Sequence, residues 1–175
     1  MKAIINILLL TTATFLGCDN LSNKKEVDST KYYYGEVTTT SADGNTPYGP
    51  VKYSLVKRSI NKELKKITEL VKQDGQVFDT ELKQNENSNK FSASDKSNSF
   101  DGFLTFSGET WNWNNWTYDI TMKNNGGKII GNGFIDSEGI KTEKYFLDST
   151  GMKTVKIIEN LKEINSEEYN KLNQK

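Results

Sequence analysis

The sequence predicts a mainly β protein, an antiparallel meander of eight to ten short strands closing into an up-and-down β-barrel with a short C-terminal helix. A two-sheet sandwich is the alternative architecture. Three observations carry the expectation. Turn signals ending in glycine recur along the chain, at Asp43-Gly44, Asp74-Gly75, Asp101-Gly102, Asn125-Gly126, Glu138-Gly139 and Thr150-Gly151. The stretches between them are rich in Thr, Val, Ile, Tyr and Phe, the residues that suit strands. Connections of hairpin length force neighbouring strands to be antiparallel, and a long antiparallel meander removes its exposed edges by closing.

The first element is no part of that meander. Met1-Lys2 is a short basic start, and Ala3 to Leu16 is almost wholly apolar or Thr. The run is shorter than the ~20 residues a spanning helix needs and has the length of a secretory signal core. It ends at Leu16-Gly17-Cys18, after which Asp19-Asn20 turns abruptly polar. This junction resembles the lipobox of bacterial lipoproteins, with Gly17 and Cys18 at the two most restrictive positions and Phe15 where Leu is usual. The resemblance covers residues 1–18. It implies cleavage before Cys18 by signal peptidase II and attachment of lipid (acyl chains of the palmitate kind) to that cysteine. One acyl chain binds a membrane marginally, at about 0.8 kcal/mol per buried CH₂, whereas the three chains of such an anchor hold stably. Residues 1–17 are thus expected to be a signal peptide, and residues 18–30 a lipidated cysteine and flexible polar tether. A single domain is expected over 31–175. The expected location is the bacterial cell envelope, with inner and outer membrane left open.

Tyr32, Tyr33 and Tyr34 open the first strand, and alternation should leave at least one ring exposed. Ile60 to Gln73 fits a helical stripe through Leu64, Ile67, Leu70 and Val71, yet its strand-like neighbours and the following Asp74-Gly75, with Val77, Asp79 and Glu81 alternating, favour a hairpin. The clearest strand is Trp116 to Met122, with Trp116, Tyr118, Ile120 and Met122 on one face. Asn124 to Gly127 supplies a tight turn, and Lys128 to Asp136 follows as the partner strand, carrying Gly131 and Gly133 on one face. Ile140–Asp148 and Met152–Leu161 come next. The last places Val155, Ile157, Glu159 and Leu161 against Lys156 and Ile158, an imperfect alternation. Asn165 with Glu167 and Glu168 marks a helix start, predicting a helix over Ser166–Asn173 that buries Tyr169 and Leu172. From Ser107 onward the chain looks like calycin-like barrel domains of unknown function, a resemblance resting on GETWNWNNWTYDIT, IIGNGFID and IKTEKYFLDSTG. It transfers no catalytic motif.

Composition narrows the function classes. The chain has no histidine and one cysteine among 175 residues, which removes imidazole metal sites, Ser-His-Asp and Cys-His catalysis and any internal disulfide. Lys+Arg and Asp+Glu both number 23, and a single arginine, Arg58, stands against 22 lysines, a poor basis for reading phosphates or nucleic acid. Neither a calcium loop of the EF-hand type nor a phosphate-binding glycine motif occurs. Carboxylates at Glu109, Asp119, Asp136, Glu138 and Glu143 lie near the aromatic region, but nothing pairs two of them as glycosidase chemistry requires. The expectation is therefore a monomeric, non-catalytic binding domain without cofactor or metal. Its partners would be the membrane, through lipid on Cys18, and a small molecule, a glycan or a protein, with no nucleic acid. The alternative is an interaction lipoprotein with a filled core, such as an adhesin or assembly factor; a carboxylate hydrolase ranks behind both. Trp111, Trp113 and Trp116, all the tryptophans of the chain, are the ligand-contact candidates, with core filling by Trp116 and end-capping by Trp111 and Trp113 as the competing reading.

Overall fold

The computed structural model describes residues 29–174 other than 87, 108–110, 112–114 and 125. The signal segment, Cys18, Glu109 and Trp113 fall outside the described residues. Ten antiparallel strands form a closed barrel in simple meander order, each strand pairing with its sequence neighbours and β1 closing on β10. They are β1 (Ser29–Ser41), β2 (Lys52–Asn61), β3 (Lys66–Gln73), β4 (Gln76–Gln84), β5 (Lys90–Asp95), β6 (Phe100–Ser107), β7 (Asn115–Met122), β8 (Lys128–Asp136), β9 (Gly139–Leu147) and β10 (Lys153–Ile164). The helix α1 (Ser166–Asn173) follows.

The ambiguous stretch 60–73 is strand on either side of a turn. Asn61 Oδ1 accepts from Leu64 N at 2.8 Å, and Lys65 takes a positive φ of 51°, so the chain reverses where a helix would have run on. Two-residue turn chemistry at Asp74 (φ 53°) and Gly75 (φ 72°) then joins β3 to β4. The first strand starts at Ser29, two residues inside the segment expected to be tether. In α1, Asn165 caps the helix by accepting from Glu168 N at 2.9 Å; Tyr169 is buried, its ring 4.7 Å from that of Tyr32, and Leu172 is half-buried. Tyr33 points into the barrel, while the outward Tyr34 stacks on Tyr53 at 5.7 Å, so neither outward ring of the tyrosine triplet is left fully exposed.

Period-2 alternation sends one side chain in two inward on every strand. The outer wall carries ion pairs, among them Lys66–Glu81, Lys96–Asp79 and Lys156–Glu143, the reverse of the apolar band that a membrane-spanning barrel shows to lipid. Inside, one end is sealed. This end is bounded by the β2–β3, β4–β5, β6–β7 and β8–β9 connections and by the start of β1. Trp116, Phe106, Phe91, Tyr33, Ile67 and Leu82 fill it at 1% exposure or less. Phe91 meets Phe106 edge-on at 5.1 Å and Trp111 at 5.4 Å, so Trp111 caps the packed end from the β6–β7 connection. Gly133 makes this packing fit: a Cβ there would stand 2.4 Å from the Trp116 indole.

Candidate functional site

The other end of the barrel is open. The β1–β2, β3–β4, β5–β6, β7–β8 and β9–β10 connections surround it, and a cavity of about 370 Å³ descends from it into the barrel. That volume lies at the small end of the ~300–1,000 Å³ typical of ligand sites. Its upper wall is mostly apolar, with Val71, Phe100, Ile120, Met122, Phe146 and Ile157 interspersed with Thr39, Ser54, Thr80 and Ser99. Phe78, 43% exposed, stands in this wall at the mouth.

The floor is charged. Inward positions carry Arg58 on β2, Glu69 on β3, Lys144 on β9 and Glu159 on β10, each among apolar or neutral inward neighbours. Register places Arg58 opposite Glu69, and the two form an ion pair through the guanidinium. Lys144 Nζ lies 2.8 Å from Glu159 Oε1, and Thr142 Oγ1 donates to Glu159 Oε2 at 2.7 Å. Glu159 and Thr142 face each other across β9 and β10. The floor rests on the sealed end: the Arg58 guanidinium is 5.5 Å from the Trp116 ring centroid and 5.7 Å from that of Tyr33. Lys144 Nζ is 5.2 Å from the Tyr118 centroid, and Tyr118 in turn packs on Trp116 at 6.3 Å.

Electrostatics lock the Lys144–Glu159 pair. Burial alone would push the Lys144 ammonium down, but the Glu159 carboxylate beside it outweighs burial and holds it above its ordinary value. Burial would raise Glu159, and Lys144 overcomes that to keep it below the usual carboxylate range. The Tyr118 phenol is pushed up to about 12, chiefly by burial. At neutral pH the Lys144–Glu159 pair is fully ionised and Tyr118 is neutral. None of these three is poised near neutrality, as an acid–base catalyst should be. Among the described residues no group of three or more Asp, Glu, His or Cys side chains comes together to hold a metal ion.

The rim has two unlike sides. Tyr48 and Val51 in the β1–β2 connection, Val77 beside the β3–β4 turn and Met152 in the β9–β10 turn are exposed apolar residues on three hairpins that neighbour one another around the barrel. On the far side, the β5–β6 and β7–β8 connections are polar and tied together. Lys123 N donates to Ser99 O at 2.8 Å, and the Lys123 ammonium pairs with Asp101 at 3.2 Å. Burial acts upward on Asp95, but the hydroxyls of Ser97 and Ser99 and the N–H groups of Phe100 and Ser99 hold it at about 2.

Of the three expected contact residues, Trp113 lies outside the described residues, and the other two lie elsewhere than this cavity. Trp116 fills the sealed end and Trp111 caps it; neither lines the cavity, whereas Tyr118, from the same sequence motif, does. Of the described carboxylates singled out in the sequence, Asp119 and Glu138 are exposed, Asp136 is bound to Lys141 and Glu143 to Lys156 and Tyr145. The four floor residues were missed as a set, although each leaves a trace: a charged residue at a strand position whose i±2 neighbours are apolar or small. No protein-family model matches the chain, and no curated protein matches it.

Proposed function

We propose that this chain is a lipid-anchored bacterial envelope protein whose barrel binds a small amphipathic molecule without transforming it. The observation that carries the reading is the half-empty interior: about 370 Å³ of space under a mostly apolar wall, standing on a charged floor. Ionisable groups without partners are expensive to bury, and even paired ones seldom add stability over an apolar core. Four of them beneath an open cavity fit a site better than a scaffold. The interaction-only alternative, with a filled core, fits the sealed half of the barrel and not the open half. The ionised state of the Lys144–Glu159 pair favours binding over catalysis.

The anchor rests on the sequence of residues 1–18. With lipid on Cys18, the tether would enter at Ser29, on the sealed end, and the mouth would open at the opposite end. Two experiments test the proposal. Native mass spectrometry of the protein purified from its own host should show a retained small molecule or, after adding candidate amphiphiles, one-to-one adducts; a barrel that accepts none contradicts it. Cys18→Ala should move the protein out of the membrane fraction. Retention of that variant against salt washing would contradict the anchor.

A further inference from the structure

We infer that the cavity selects amphiphiles whose polar end carries no net charge, and takes them up polar end first; this rests on the small-molecule reading above. The argument follows from the order of layers between the sealed end and the mouth. Aromatic rings come first, then two cations and two carboxylates, then a mostly apolar wall, then a partly apolar rim. A ligand that matches these layers has a hydrogen-bonding head, directed inward, and an apolar tail, directed towards Phe78 and the mouth.

The charge of the head is decided by how the floor is wired. Each cation already faces a carboxylate, Arg58 to Glu69 and Lys144 to Glu159, so the four charges sum to zero. A carboxylate or phosphate head would add a negative charge beside two cations that Glu69 and Glu159 already offset, and to gain a cation of its own it would have to draw Lys144 away from Glu159, leaving that carboxylate with the Thr142 hydroxyl alone. An ammonium head would have to take Glu159 or Glu69 and leave a buried cation behind. Removing one partner of a buried pair is heavily penalised. Hydroxyl, amide or glycosyl heads avoid that penalty. They can donate to carboxylate lone pairs and accept from ammonium hydrogens that the ion pair does not use, since an ammonium has three and Glu159 Oε1 takes one.

The test uses three probes with one tail, all below their micelle concentrations: octyl glucoside, octanoate and octyltrimethylammonium, titrated by calorimetry into the purified protein. The apolar dye N-phenyl-1-naphthylamine serves as a fourth probe, without a polar head. Octyl glucoside should bind at least tenfold more tightly than either charged probe. Glu159→Gln, which is isosteric and leaves Lys144 in excess, should improve octanoate relative to octyl glucoside at least tenfold. Lys144→Gln should do the same for octyltrimethylammonium. Circular dichroism confirms the barrel in both variants, and should either fail to fold, the wild-type ranking decides alone. A charged probe that binds wild type as well as octyl glucoside overturns the inference, as does a ranking unchanged in both folded variants. If the dye binds and none of the three octyl probes does, selection by head group is wrong while the binding cavity stands. If all four probes fail, the small-molecule reading falls with it.

Discussion

The two halves of this barrel are built from the same ten strands and differ in what their inward positions carry. Towards the sealed end those positions hold Tyr33, Phe91, Phe106 and Trp116, and glycine at 133 yields its space to the indole. Towards the mouth, Thr39, Ser54, Thr80 and Ser99 intersperse the larger Phe100, Met122 and Phe146, and the interior stays open. Closure of the sheet is therefore separable from filling of its interior. One half supplies the packing that makes the fold stable, and the other is released from that duty to hold a ligand. The four inward charges lie at the boundary, with Arg58 resting on the aromatic rings of the sealed half.

Substitutions should expose this division, with the largest losses in the sealed half. Trp116→Ala should destabilise the protein by about 3–5 kcal/mol in chemical denaturation, the usual cost of emptying a packed aromatic site. Lys144→Met should cost about 3 kcal/mol, because Glu159 is left buried and unpaired, whereas Lys144→Met with Glu159→Leu should recover most of the loss. The same double variant sharpens the pH behaviour. Glu159 sits below its ordinary value, so its share of stability is present above the unfolded carboxylate pKa of about 4.3 and is lost as acid protonates it in the fold. Lys144 sits above its ordinary value, so its share is present below about pH 10.4 and is lost as pH rises through the folded value. Melting temperatures of wild type relative to the double variant should therefore be flat between those limits and fall on both sides. Gly133→Ala should cost about 1–3 kcal/mol by overpacking the indole. Smallest of all, Phe78→Ala at the mouth should change stability by under about 0.5 kcal/mol, as surface substitutions do, while weakening ligand retention.

Much of the fold could be read in the sequence because hairpin chemistry is local. Asp74-Gly75 marks its own turn, and Trp116–Met122 states its own period. The stretch 60–73 was harder, since Leu64, Ile67, Leu70 and Val71 satisfy a helical spacing. Asn61 suits a helix start as well as a turn, and Lys65, which takes the positive φ, carries no turn signature. The site was less legible for a different reason. Glu159 disturbs the alternation of β10 visibly, and Lys144, Glu69 and Arg58 do the same on their strands. Their meeting depends on a register between β2 and β3 and on barrel closure through β1 and β10, relations that link residues about 100 positions apart. Clustering in sequence drew attention to the tryptophans instead. In space Trp116 and Trp111 serve the sealed end, and the neighbouring Tyr118 reaches the cavity.

The central claim is that the open half is a ligand site. Fluorescence titration with N-phenyl-1-naphthylamine tests it most directly, comparing wild type with Thr80→Trp, which fills the cavity from β4, and Asp119→Ala, an exposed change on the outer face of β7. The account predicts one saturable site in wild type, retained in Asp119→Ala and lost in Thr80→Trp. Absence of saturable binding, or equal binding by wild type and a folded Thr80→Trp protein, would contradict it.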